Sequence, residues 1–263
     1  MDLGIEDNSA LFLASSSGLG KASAEALLRE GCKVVINGRD KEKLENTVDE
    51  LNKIGKGEVH GVQADITDQE DIKGLVKETV DINGGLDHLV TCAGGPPSGS
   101  FLDTTDEDWY KAFDLLVMSV VRIVRESVEY LKQDGGGTIV NITSISVKEA
   151  IESLVLSNSV RMSVIGLEKT LSKELGPDIR VNAILPGPHE TERIQNLIKQ
   201  GMERGDFESY KDGLDFWTEG VPLKRIGDPM ELGELVAYLS SEKSSYINGT
   251  AIPIDGGASK SNL

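Results

Sequence analysis

The 263-residue chain carries 44 Asp and Glu against 27 Lys and Arg, a formal net charge of −17. A surface this acidic repels nucleic acid and anionic membrane, so no nucleic acid and no membrane partner is expected. The same acidity suits a salt-rich cytosol, although lysine outnumbers arginine.

The length fits one α/β domain that buries its core without metal or disulfide support. No apolar run reaches membrane-spanning length, and the first ten residues are short and acidic, unlike a secretory signal. Cys32 and Cys92 have no metal-ligand spacing and fall in expected buried strands, the pattern of two reduced thiols in a cytoplasmic protein.

In chain order, Leu11-Phe12-Leu13 reads as a buried strand. It is followed by Gly18-Leu19-Gly20 and a helix with Ala22 and Ala26 on one face, which Gly31 ends as a left-handed cap. Val34-Val35-Ile36 is a second strand and 40–53 a charged helix. Strand 59–64, helix 68–80 and strand 86–92 follow. One long helix is expected over 106–131, broken by Gly135-Gly136-Gly137 before strand 138–142. Val160, Val164, Leu167 and Leu171 form a helical stripe. Strand 179–185 ends in Pro186-Gly187, and Pro253 makes 251–254 an edge strand. Strand–helix alternation predicts a three-layer, doubly wound parallel α/β sheet in a single domain, 1–263. The polar segment 188–227, with scattered aromatics, reads as irregular, a mobile cover over a ligand site.

The first strand runs through Ala14-Ser15-Ser16-Ser17-Gly18-Leu19-Gly20 directly into a helix. That context aims backbone N–H groups at a pyrophosphate, and glycine lets the backbone come close. At the end of the second strand, Arg39 suits a 2′-phosphate, whereas Asp40 beside it weakens that preference. The expected cofactor is NADP, with NAD possible.

These segments, with Ala64-Asp65-Ile66, Thr91-Cys92-Ala93-Gly94, Ile142-Thr143-Ser144, Arg225-Ile226-Gly227-Asp228-Pro229 and Ile254-Asp255-Gly256-Gly257, resemble the short-chain dehydrogenase/reductase family over nearly the whole chain. The flavour is that of the 3-oxoacyl-(acyl-carrier-protein) reductases. The resemblance implies a Rossmann fold with Ser15, Ser16, Ser17, Gly18, Leu19 and Gly20 at the phosphates. Asp65 and Ile66 would flank the adenine, and Cys92, Ala93 and Gly94 the adjacent ribose. Pro186, Gly187 and Thr191 would meet the nicotinamide end. It also implies a homo-oligomer, tetramer or dimer, built through the long helices. Ala14 stands where the family has its first glycine, tolerable where φ is negative.

The family's catalytic serine corresponds to Ser144. Thirteen residues further on, where its tyrosine belongs, stands Ser157, and Arg161 replaces the lysine four residues beyond. Leu116 stands for the family's asparagine, and none of the five tyrosines has a lysine four residues later. A serine hydroxyl is a far weaker acid than a tyrosine, which titrates near ~10. Arginine stays protonated, but its fork holds ribose hydroxyls or an anionic substrate. His189, Lys148 and Glu149 are alternative groups near the expected pocket, and His60 and His88 read as structural.

The leading expectation is an NAD(P)-dependent oxidoreductase, NADP(H)-preferring, reducing a small-molecule carbonyl or 3-oxoacyl-type substrate with a non-standard proton donor. Ser144, Ser157 and Arg161 carry it, Arg161 also touching the cofactor. Two rivals stand beside it: a dinucleotide-binding pseudoenzyme acting as sensor or structural subunit, and a lyase or isomerase that keeps its cofactor without net redox change.

Overall fold

Alternating buried strands and amphipathic helices give the layers. The structure, a computed structural model, describes residues 1–133 and 135–262. The strands are β1 (Ser9–Phe12), β2 (Lys33–Gly38), β3 (Val59–Gln63), β4 (His88–Thr91), β5 (Gly137–Ile142), β6 (Ile179–Pro186) and β7 (Ala251–Ile254). They pair in parallel in the order β3-β2-β1-β4-β5-β6-β7. Every residue of β1, β4 and β5 is buried, as strands covered on both faces require. β7 is the edge, so the missing N–H of Pro253 is accommodated there.

The helices are α1 (Gly18–Arg29), α2 (Lys41–Leu51), α3 (Gln69–Asn83), α4 (Asp106–Phe113), α5 (Ser119–Leu131), α6 (Val155–Glu174), α7 (Glu192–Arg204), α8 (Tyr210–Glu219) and α9 (Pro229–Ser240). One apolar layer packs α3, α5 and α6 onto one sheet face, through Ile72, Ile123 and Val164 among others. The opposite layer packs α1 and α9 through Leu27, Leu28 and Val236. Gly233 makes that approach possible, since a Cβ there would lie 2.5 Å from the Ala22 carbonyl oxygen. Full burial of each such aliphatic side chain contributes about 1.5–3 kcal/mol. No helix of the described residues is long and apolar enough to cross a membrane.

Two expectations need correction and one is refined. The helix over 106–131 is helical throughout but contains one π turn, Asp114–Met118, between α4 and α5. The segment 188–227 is not irregular: it holds α7 and α8, whose Ile194, Leu197 and Ile198 pack with Leu214 and Trp217. Ala14 has φ +45°, not a negative value. It occupies the left-handed region, where a Cβ crowds the following carbonyl.

Replacing Ala14 by glycine relieves that crowding, partly offset by the unfolded-state entropy of glycine. We expect Ala14→Gly to raise stability by about 1 kcal/mol and Tm by about 2–4 °C, read by thermal denaturation. A lowered Tm would show that the Ala14 methyl contributes more by packing than it costs in backbone strain.

Candidate active site

The strand order reverses between β1 and β4, so the connections leaving their carboxyl ends run to opposite faces of the sheet. Such a switch point is where open parallel sheets bind ligands. A cleft of about 430 Å³ opens there, running from Gly18-Leu19-Gly20 past Cys92-Ala93-Gly94 to Ser144, Ser157 and Arg161. Pro186, Gly187 and Thr191 complete it from the end of β6.

At its first end lies the N-terminus of α1. Ser17, the N-cap, makes no side-chain capping bond, and the first turn carries no acid. The positive end of the helix dipole is thus left uncompensated by the chain, as a phosphate site requires. Gly18 has φ +58°, and a Cβ on Gly20 would lie 2.8 Å from the Ala14 oxygen. Both glycines are therefore fixed by geometry, one by conformation and the other by close approach. These features fit a dinucleotide.

Other expected cofactor residues behave differently. Ser15 is fully buried, its hydroxyl donating to the Phe12 carbonyl at 2.9 Å and accepting from the Asn37 N–H at 3.0 Å. Its side chain shapes the loop and does not reach the cleft. Ile66 is packed in the core beside α3 and α5. Ser16 lines a neighbouring depression between α1 and α2, not this cleft. Arg39 is exposed at the end of β2, 3.8 Å from Asp65, whose carboxylate also accepts from the Thr67 N–H and hydroxyl. Asp40 is occupied as the N-cap of α2, accepting from the Lys43 N–H at 3.0 Å.

The second end collects the hydroxyls. Ser144 is in extended conformation, and its oxygen accepts the Ser146 N–H at 3.1 Å, leaving its own proton free to donate. The Ser146 and Ser157 hydroxyls are 3.2 Å apart, so one residue links the two predicted serines. The sequence reading did not include Ser146; its spacing of two from Ser144 was the available sign. Asn158 bonds the Ile151 N–H and carbonyl at 3.2 and 2.9 Å, pinning the approach to α6 and hence the position of Ser157.

Arg161 lies one turn beyond Ser157 on α6 and is only 8% exposed. Its Nη1 donates to the Thr143 carbonyl at 3.1 Å, while Nε has no partner. Burial lowers its pKa to about 10, opposed by the neighbouring Cys92 and reinforced by Arg193, so it remains a cation at neutral pH. Arg193, at the start of α7, lines the same cleft and donates from Nη2 to the Pro96 carbonyl at 2.9 Å. Sequence reasoning missed Arg193 because only the fold brings α7 over the loop after β4.

His189 also borders the cleft but is buried, with Nδ1 donating to the Gly187 carbonyl at 3.0 Å and its ring against Gly227. Burial holds its pKa below the ordinary histidine value, so it is neutral and structural rather than a proton donor. None of the five tyrosines lines the cleft. Leu116 sits in the π turn with 2% exposure, packed into the core. His88 is a core residue bonded to Asn8 and Thr138, whereas His60 is exposed beside Glu58. Glu149 is held by Lys260 and does not line the cleft.

This architecture defines a dinucleotide-binding oxidoreductase, and comparison with known proteins agrees. A family model described as "Enoyl-(Acyl carrier protein) reductase" matches residues 13–259. The uncharacterized oxidoreductase YvrD of Bacillus subtilis is 30% identical over 99% of this chain and 100% of its own. The 3-oxoacyl-[acyl-carrier-protein] reductase FabG of Thermotoga maritima is 30% identical over 96% of this chain and 98% of its own. L-Sorbose reductase from Gluconobacter frateurii, solved with NADPH and L-sorbose, superposes with a TM-score of 0.94 at 31% identity, over 99% of this chain and 100% of that one. The chain belongs to the short-chain dehydrogenase/reductase family and is an oxidoreductase of that kind.

The thiols give a direct check on the cleft. Cys32 is buried, its Sγ donating to the Ile5 carbonyl, and burial pushes its pKa up to about 12. Burial also raises Cys92, but Arg161 and the Ala93 and Gly20 amides oppose this, and the side chain borders the cleft. Thiol titration of the native protein should therefore count one slowly reacting cysteine, Cys92, and two after denaturation. Equal native rates for both would show that the cleft does not reach Cys92.

Proposed function

We propose that this protein is an NADPH-dependent reductase of small-molecule carbonyl compounds, in which a buried arginine replaces the usual phenol and ammonium pair. The observation that carries the reading is one continuous cleft with an uncompensated helix N-terminus at one end and Ser144, Ser157 and the charged Arg161 at the other. NADPH in the similar L-sorbose reductase supports the choice of cofactor. Arg39 beyond β2, with Asp40 occupied as a cap, supports NADP over NAD.

When bound, the cofactor supplies hydride. Gly18, Leu19 and Gly20 hold its phosphates; Cys92, Ala93 and Gly94 its ribose; Pro186, Gly187 and Thr191 its far end. Ser144 makes a hydrogen bond from its free O–H to the substrate oxygen, keeping its proton, and so polarises the carbonyl. Negative charge grows on that oxygen, and the Arg161 cation stabilises it in a site of low dielectric constant. The resulting alkoxide is a strong base and takes its proton from water through Ser157, which lines the cleft and is held by Ser146. Arg161 thus acts electrostatically and is not required to give up a proton.

The segment 188–227 serves as substrate cover, its α7 and α8 closing the apolar side with Ile194, Leu197 and Trp217. Exposed Tyr110 and Phe113 on α4, with exposed Phe101 and Leu102 just before it, support assembly into a homo-oligomer. The unpaired Cys32 and Cys92 support a reducing, cytoplasmic setting.

Purified protein should oxidise NADPH with a member of a carbonyl panel, followed by nicotinamide absorbance. Ser144→Ala should lower kcat by about 10²–10³-fold, the cost of removing one oxyanion donor. Unchanged kcat would remove Ser144 from the mechanism, and tight NADPH binding without any turnover would favour a pseudoenzyme. The pH profile separates this mechanism from one using a neutral-range acid. The active form has Arg161 protonated, so kcat/KM should stay level from pH 6 to 9 and fall as pH rises through about 10. A fall centred near pH 7 would contradict it.

A further inference from the structure

Two guanidiniums from different elements, Arg161 of α6 and Arg193 of α7, line the same cleft. The chain has 44 carboxylates, yet among the described residues neither arginine has an ion-pair partner. Each is bonded to one backbone carbonyl, Thr143 and Pro96 respectively. Among the described residues the one carboxylate bordering the cleft, Glu192, is occupied by Lys43 at 2.7 Å. Arg161 is more than nine-tenths buried with Nε unpartnered. A buried cation without a counter-charge is unfavourable, so the arrangement calls for an anion supplied from outside the chain.

The position of Arg193 identifies which anion. Its guanidinium lies against Gly95, where a Cβ would be 2.7 Å from its Cζ and Nε, beyond the Ala93-Gly94 pair. It stands on the cover side, next to the apolar wall of Ile145, Ile151, Leu154, Ile194, Leu197 and Trp217. The phosphate end, at the N-terminus of α1, already has its own backbone donors. Guanidinium forks recognise carboxylates by paired hydrogen bonds, and the adjoining apolar wall suits a hydrocarbon body.

We propose that the substrate is an oxo acid, a ketone bearing a nearby carboxylate, whose carboxylate is held by Arg193 on the cover while its carbonyl faces Ser144 and Arg161. This rests on the reductase reading above. The ketone is reduced to a hydroxy acid by hydride from NADPH and one proton from water, and the carboxylate is unchanged. Arg193 is a specificity-determining residue, and binding of the acid completes the charge balance of the cleft.

The test compares 2-oxo-4-phenylbutanoate and 3-oxohexanoate with their ethyl esters, using NADPH and the full chain. Each acid should have a kcat/KM at least tenfold above its ester, expressed mainly in KM. Arg193→Gln should collapse that acid-to-ester ratio at least tenfold, and Arg193→Lys should retain part of it. NADPH affinity, measured separately by fluorescence titration, should change less than threefold in Arg193→Gln. Equal use of acid and ester overturns the proposal. So does a large loss of NADPH affinity with an unchanged acid-to-ester ratio, because Arg193 would then serve the cofactor.

Binding tests the anchor without turnover. In the presence of NADP, 2-hydroxy-4-phenylbutanoate and its ethyl ester are titrated by the fluorescence of Trp217, with Trp217→Phe as the control. Tighter binding of the acid that depends on Arg193 supports the anchor even if no substrate is reduced, and in that case only the reductase reading fails. Indifference to the carboxylate overturns the anchor.

Discussion

The loop between β1 and α1 is held by one buried side chain. Asn37, 1% exposed at the end of β2, donates from Nδ2 to the Val62 and Ala64 carbonyls at 3.2 and 3.1 Å. Its Oδ1 accepts the Ala14 N–H at 3.3 Å, and its backbone N–H and carbonyl bond to Ser15. Three strand ends are thereby tied at one point, with every hydrogen-bonding group of the amide used. Such a fully satisfied network is rigid, and losing one member leaves several buried groups unpaired. It is also what holds Ala14 in the left-handed region. From that turn follow the close approach of Gly20, the aim of α1 and the opening of the cleft.

Much of this was legible in the sequence. Alternating apolar runs and amphipathic stripes gave the strands to within two residues at each end, and Pro253 correctly marked the edge. Strand-to-helix context identified the glycine loop. Less visible were features set by tertiary contacts. The φ of Ala14 depends on Asn37, twenty-three residues away, and no local preference for alanine announces it. The π turn at Asp114–Met118 lies inside an unbroken helical pattern, since apolar Leu115, Leu116 and Val117 satisfy either winding. Sparse apolar spacing made 188–227 look irregular, because α7 and α8 bury only narrow faces.

The active-site reading divides along the same line. Ser144, Ser157 and Arg161 were found by register, and they do share one cleft. Ser15 and Ile66 were carried along by their neighbours in the motif, although packing turns their side chains inward. Arg193 escaped notice because nothing in its immediate sequence distinguishes it from a surface residue, and Ser146 because its one sign was a spacing of two from Ser144. Leu116 shows the opposite effect: it occupies the irregular turn, yet its side chain is packed into the core and lines no part of the cleft.

The bond from Arg193 to the Pro96 carbonyl joins the cover to the loop after β4. A hydrogen bond from a charged donor contributes about 1.5–3 kcal/mol. A second bond joins the same two walls, the Ser98 hydroxyl donating to Gln200 Oε1 at 3.2 Å. A ligand that engages the Arg193 guanidinium competes with the Pro96 carbonyl for its donors, so its arrival is felt at one of two tethers between cover and loop.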